Sequence, residues 1–147
     1  AQQAVLKAPA TEQMANEAHL ARLLLEDWIA RRVNSPHLIR ALSSGRERRY
    51  IYTLSEFIDG QTLQQWRLDH PEPSLAQVRQ IILQVGKGLQ ALHRAEVLHQ
   101  DIRPENIMIT HDGVVKIIDL GSASVAADAE PIQTHRGLGY SYSPGHS

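Results

Sequence analysis

Two aspartates eighteen positions apart, Asp101 and Asp119, with a tight turn midway between them, constrain this chain more than any other feature. The turn is His111-Asp112-Gly113, flanked by the apolar runs Ile107–Ile109 and Val114–Ile118. An Asp-Gly pair between two such runs is a strong short-range hairpin signal. A hairpin returns the chain to where it set out, so Asp119 must come back beside Asn106, five positions after Asp101. Upstream, Leu75, Val78, Ile82, Val85, Leu89 and Leu92 recur at helical spacing behind Ser74, a good N-cap. The frame is therefore helix, polar loop, hairpin.

The rest of the chain completes an α+β pattern. Ala4–Lys7 reads as the tail of a strand, and Thr11–Val33 as a helix whose stripe runs through Met14, Ala18, Ala21, Leu25 and Trp28. Asn34-Ser35-Pro36 ends that helix, because proline disfavours helical geometry in the residue before it. His37–Leu42 suits a short strand, Ser43–Arg49 a turn, and the β-branched and aromatic run Tyr50–Ile58 a longer strand. Gly60 is expected to break that strand, with a short helix over Leu63–Leu68 and a loop over His70–Pro73. Gly86 and Gly88 lie inside the long helix, where each costs about 1 kcal/mol against alanine, so close packing is expected at both. After Gly121 the chain turns small and irregular.

Composition removes whole classes of function. There is no cysteine, which excludes disulfide scaffolds, Cys-bound zinc and thiol catalysis. A formal charge of −1, from 15 Lys+Arg against 16 Asp+Glu, offers no basic face for nucleic acid and no polybasic anchor. None of the eight histidines falls into a metal-binding spacing. No apolar run approaches ~20 residues and no leader pattern opens the chain, so a cytoplasmic location is expected.

What remains is the polar loop. Taken singly, Asp101, Asn106 and Asp119 are ordinary turn residues; their joint spacing inside a helix–hairpin frame is not ordinary. Phosphoryl transfer requires a group that orients an attacking hydroxyl and hard oxygen ligands that hold a metal against the phosphates. One loop bearing Asp101 and Asn106, met by Asp119, can supply both.

At this point the residues resemble a known family. His99-Gln100-Asp101-Ile102-Arg103-Pro104-Glu105-Asn106 is similar to the catalytic loop of eukaryotic-type protein kinases, and Asp119-Leu120-Gly121 to their D-F-G element. Val5-Leu6-Lys7 resembles the strand bearing the nucleotide lysine, and Glu26 stands nineteen positions later on a helix, as the lysine's partner does. The resemblance implies Asp101 as catalytic base, Arg103 in place of the phosphate-contacting lysine, and Lys7 paired with Glu26. It implies Asn106 and Asp119 as ligands of Mg²⁺, with His99 packed beneath the loop. Ser55 would stand at the gatekeeper position, and the backbone of Glu56 and Ile58 at the hinge would bind the adenine of ATP. Pro104-Glu105-Asn106 favours Ser/Thr hydroxyls of proteins as acceptors over tyrosine.

The resemblance covers about residues 4–125 and implies a partial kinase-like fold, with residues 1–58 from the N-lobe and 59–147 from the C-lobe through the activation segment. Glu56-Phe57-Ile58-Asp59-Gly60-Gln61-Thr62-Leu63 and the Glu26–Arg32 run look like bacterial kinases fused to a metal-dependent protein phosphatase, a group in which a membrane segment can follow the kinase. Three departures stand out. No G-x-G-x-x-G occurs, Gln100 replaces the usual Arg, and Tyr140-Ser141-Tyr142-Ser143-Pro144-Gly145 only loosely matches the end of an activation segment. The chain thus reads as a fragment. A catalytically inactive kinase-like module is the alternative reading, and a small-molecule phosphotransferase with a related loop is a weaker third.

Overall fold

Asn16 sets the start of the first helix. The computed structural model describes residues 3–10, 16–43, 52–126, 132–135 and 139–142. Asn16 is extended (φ −92°, ψ 99°) and its side chain accepts from His19 N, so helix α1 runs Glu17–Arg32. The sequence placed this start at Thr11; a side-chain cap at Asn16 fixes it later, and residues 11–15 lie outside the described residues. Leu23, Trp28 and Ile29 form the buried face of α1.

Strand β1 (Ala4–Lys7) pairs antiparallel with β2 (Thr53–Glu56), placing Val5 opposite Ser55 and Lys7 opposite Thr53. The expected strand over His37–Leu42 is an extended segment held by isolated bridges. Ile39 N donates to Ile117 O and Ile117 N to His37 O, whereas Leu42 N donates to Leu54 O and Glu56 N to Arg40 O. One short segment therefore serves two partners and builds a ladder with neither. The expected turn at Ser43–Arg49 and the start of the Tyr50–Ile58 strand fall largely outside the described residues.

Gly60 begins a strand instead of breaking one. β3 (Gly60–Thr62) pairs with β5 (Ile107–Thr110), which pairs in turn with β6 (Val115–Ile117). A Cβ on Gly60 would collide with the Ile109 carbonyl oxygen, so the glycine is there for close backbone approach. Thr62 then caps helix α2 (Leu63–Asp69), and Ser74 with Gln77 forms a capping box for α3 (Leu75–Arg94). Gln84 ties α3 to the hairpin, donating to Gly113 O and accepting from Val115 N.

The main core joins Trp28 and Ile29 of α1, Leu38, Leu92 of α3, Ile117 of β6, Leu120 and Ala123. Burying each large aliphatic of this set stabilises by about 1.5–3 kcal/mol. The core thus lies directly beneath the loop that carries Asp119. The α3 stripe is only half used: Val85, Leu89 and Leu92 pack inward, but Leu75 and Ile82 are 84% and 63% exposed. Of the two helical glycines, Gly88 lies against His37, where an added Cβ would stand 2.8 Å from His37 O. Gly86 has open space, correcting the expectation of tight packing at both.

Two strand pairs occur where the sequence suggested irregular chain. β4 (Val97–Leu98) pairs with β7 (Ser124–Val125), and β8 (Ile132–His135) with β9 (Gly139–Tyr142). The first pair is two residues long and supplied by tertiary contact, which periodicity does not detect. Among the described residues no helix is long and apolar enough to cross a membrane.

Candidate active site

The loop between β4 and β5 is shaped by its own hydrogen bonds. His99 is 2% exposed, and its Nδ1 accepts from Asp101 N at 3.1 Å. Gln100 between them adopts φ 67°, a left-handed conformation that costs a non-glycine residue energy and here lets His99 point inward while Asp101 points out. Pro104–Asn106 forms a single 3₁₀ turn that delivers Asn106 to a buried position. There Asn106 Nδ2 donates to both Asp101 O and Asp101 Oδ2, each at 3.0 Å. With its amide nitrogen committed twice, the orientation of the Asn106 side chain is fixed and its oxygen is turned away from Asp101.

The hairpin brings the second aspartate to this loop. Ile118 N donates to Asn106 O at 3.0 Å, so Asp119 leaves β6 next to Asn106. Asp119 Oδ1 accepts from Gly121 N at 2.9 Å, which holds the carboxylate while leaving its other oxygen free of that bond. Burial holds the His99 imidazole below its usual pKa, against the pull of the Asp119 backbone and the Asp119 and Asp101 charges. His99 Nε2 is buried without a hydrogen-bond partner, so the ring serves as a packing element beneath the loop.

Lys7 and Glu26 meet across the sheet–helix boundary, with Nζ 2.8 Å from Glu26 Oε2; the carboxylate side is 13% exposed. Burial pushes the Glu26 carboxyl above the ordinary range, opposed by the Lys7 hydrogen bond and charge and reinforced by Asp119 and Asp27. A cavity of about 330 Å³ opens beside this pair, lined among others by Lys7, Glu26, Ser55, Ile58, Met108 and Asp119. Its walls are largely apolar, with a few charged groups, Lys7, Glu26, Glu56 and Asp119, among them, as in many small-molecule sites.

Arg103 stands near the loop's aspartate, Nε 3.5 Å from Asp101 Oδ1, and more than half exposed. Glu56 ends β2 and Ile58 lies two residues beyond it, with Glu56 N already bonded to Arg40 O. The sequence-derived residues therefore fall into one cleft: Lys7, Glu26, Glu56, Ile58 and Asp119 line the cavity, while Asp101, Arg103 and Asn106 form the adjoining loop. Sequence reasoning passed over Lys116, whose ammonium reaches Glu56 at 2.8 Å. Its only signal is a cation placed between two apolar strand residues, which alternation reads as a solvated side chain.

Among the described residues no cluster of three or more His, Cys, Asp or Glu gathers to hold a metal. The two residues the resemblance assigns, Asp119 and Asn106, offer a carboxylate and an amide oxygen, hard ligands of the kind Mg²⁺ takes when phosphates supply much of its remaining shell. The donor set fits that ion.

A lysine–glutamate pair at the cavity and an Asp–Asn loop beside a returning aspartate are the kinds of group that phosphoryl transfer uses. Comparison with known proteins agrees: the family described as "Protein kinase domain" matches residues 1–144. The chain belongs to the protein kinase family. It is 34% identical over 130 residues to the serine/threonine-protein kinase PknL of Mycobacterium tuberculosis, covering 88% of this chain and 32% of that protein. It is 31% identical over 128 residues to the probable serine/threonine-protein kinase PknB of Bifidobacterium longum, covering 81% of this chain and 19% of that one. The serine/threonine-protein kinase SSN3 of Eremothecium gossypii is 38% identical over 99 residues, 65% of this chain and 17% of that protein. The chain thus spans about a third or less of the length of these curated relatives.

Proposed function

We propose that this chain forms the catalytic cleft of an ATP-dependent protein kinase that phosphorylates Ser/Thr hydroxyls. Residues 1–58 belong to its N-lobe and residues 59–147 to its C-lobe. The observation that carries the reading is Asn106, whose amide is pinned to Asp101 while its backbone receives Ile118, so that base and metal ligands share one rigid frame.

In this reading the backbone of Glu56 and Ile58 would bind the adenine of ATP, and Lys7 would contact the α- and β-phosphates. Glu26 keeps the lysine ammonium aimed into the cleft. Asn106 and Asp119 would hold Mg²⁺, which when bound would supply charge neutralisation at the phosphates. Asp101 receives the proton of the acceptor hydroxyl as its oxygen bonds the γ-phosphorus and the bond to the bridging oxygen breaks, leaving ADP. Arg103, poised near Asp101, steadies the transferring phosphoryl group. The runs around Glu26 and Glu56 favour a bacterial kinase fused to a metal-dependent phosphatase in the complete protein, in the cytoplasm.

The test is transfer of radiolabelled phosphate from ATP by the full-length protein. Asp119→Asn is expected to abolish transfer, and Asp101→Asn to lose nearly all of it while still binding nucleotide, since Asp101 serves the acceptor and not ATP. Near-wild-type turnover by either variant contradicts the assignment. Nucleotide binding without any transfer by the unsubstituted protein would favour the non-catalytic reading.

A further inference from the structure

Lys116 lies on β6 between the buried Val115 and Ile117, where strand alternation sends it away from that core. It does not reach open solvent. Its Nζ donates to Glu56 Oε1 at 2.8 Å, and the two side chains are only 17% and 18% exposed. The same carboxylate oxygen accepts from Arg40 N at 3.1 Å, and Glu56 N donates to Arg40 O at 3.0 Å. One residue back from Arg40, Ile39 N donates to Ile117 O at 2.9 Å, and Ile117 is the neighbour of Lys116. These contacts close a ring through three segments: the end of β2, the extended stretch 37–42, and β6.

The ring couples the two ends of the cleft. Glu56 opens the stretch that meets the ring of the nucleotide, and Asp119 lies three positions beyond Lys116. Met108, the register partner of Lys116 on β5, lines the same cavity. We infer that Lys116 is a positioning residue for the nucleotide: through the Glu56 carboxylate it fixes where the backbone of residues 56–58 stands relative to Asp119. The inference rests on the kinase reading above.

The physical argument concerns what happens when the cation is removed. A largely covered carboxylate without its counter-charge is costly and turns toward water. Glu56 can do so only by giving up the Arg40 N bond, which also frees the backbone that carries Glu56 O and Ile58 N. Contacts to the adenine end are the same in ground and transition states, so their loss raises KM for ATP and leaves kcat nearly unchanged.

The experiment measures ATP KM, kcat and nucleotide Kd of the full-length protein carrying Lys116→Met, Lys116→Arg, Glu56→Gln, or Lys116→Met and Glu56→Gln together. Lys116→Met is expected to raise KM and Kd roughly tenfold, about 1.4 kcal/mol, with kcat within about twofold. Lys116→Arg should return both to near wild type, and the double variant should be no worse than either single one, since each removes the same contact. An unchanged KM in a folded Lys116→Met protein, or a fall in kcat alone, would show a merely structural role and overturn the inference. Should Lys116→Met not fold, Glu56→Gln decides in the same way, because it keeps the acceptor for Arg40 N and loses only the charge. Absence of nucleotide binding by the unsubstituted protein overturns the kinase reading and this inference with it, whereas an unchanged KM in Lys116→Met overturns the inference alone.

Discussion

Asn106 shows how much one side chain decides. Its amide nitrogen binds Asp101 twice and its carbonyl receives Ile118, so a single buried residue registers the loop against the hairpin. The sequence made that residue visible by spacing. It could not make the glycines equally legible, because a glycine records that something is close without recording what. Gly86 and Gly88 look alike in sequence, yet only Gly88 faces a neighbour, His37 O. Their alanine variants should therefore move stability in opposite directions. Gly86→Ala is expected to stabilise by up to about 1 kcal/mol, because it lowers the entropy of the unfolded chain at an open helical position. Gly88→Ala is expected to cost about 1–3 kcal/mol, as backbone or Ile117 must give way. Urea denaturation of the two variants beside the parent checks this; shifts of the same sign would contradict the contact.

Elements were legible where a local signal fixed them. Ser74 announces α3, and Asp112-Gly113 announces the hairpin, and both are where the sequence put them. β3, β4 and β7 escaped notice because each is two or three residues long and exists only through its partner. The junction of β1 with α1 carries its own prediction. Glu26 has a raised pKa, with burial as the largest cause, so on acidification it takes up a proton at a pH above its ordinary value of 4.5. A group raised on folding contributes stability below its unfolded pKa and loses it as pH rises through the folded one, so protonating Glu26 does not itself destabilise the fold. It does dissolve the pair with Lys7. ATP affinity should therefore decline on the acid side from a pH above 4.5, ahead of any unfolding through this group. Glu26→Gln should show weaker binding at neutral pH and lack that acid limb. Persistence of the same limb in Glu26→Gln would assign it to another residue.

At the scale of the molecule, the α+β class followed from the order of elements and the candidate site residues from their resemblance to kinase motifs, whereas the way the sheets are joined followed from neither. The sequence offered a strand at His37–Leu42; the structure uses that stretch as a splice between β2 and β6, a role decided by residues far away in the chain. The outward-facing Leu75 and Ile82 likewise reflect which neighbours α3 has, and periodicity counts only apolar positions. Gln100 gives a prediction at this scale. It brings no positive charge to the loop, so a phosphate added at Thr134 of β8 finds no arginine at position 100 with which to pair. On the kinase reading, full-length protein treated with a phosphatase should turn over as fast as untreated protein. A large loss of rate, restored by phosphate at Thr134, would contradict this.

The splice also sets an order of events during synthesis. His37 bonds Val115 across 78 positions of sequence, and Ile39 likewise waits for Ile117. At roughly 5–20 residues per second, a ribosome needs about 4–16 s to supply those partners. Throughout that interval the stretch after α1 has β2 as a neighbour once it emerges, but its other side is an open edge. Unpaired edges of this kind recruit whatever strand arrives first. The nascent chain is therefore most exposed to mispairing before its hairpin is translated, and a pause placed upstream of residue 107 would lengthen that exposure.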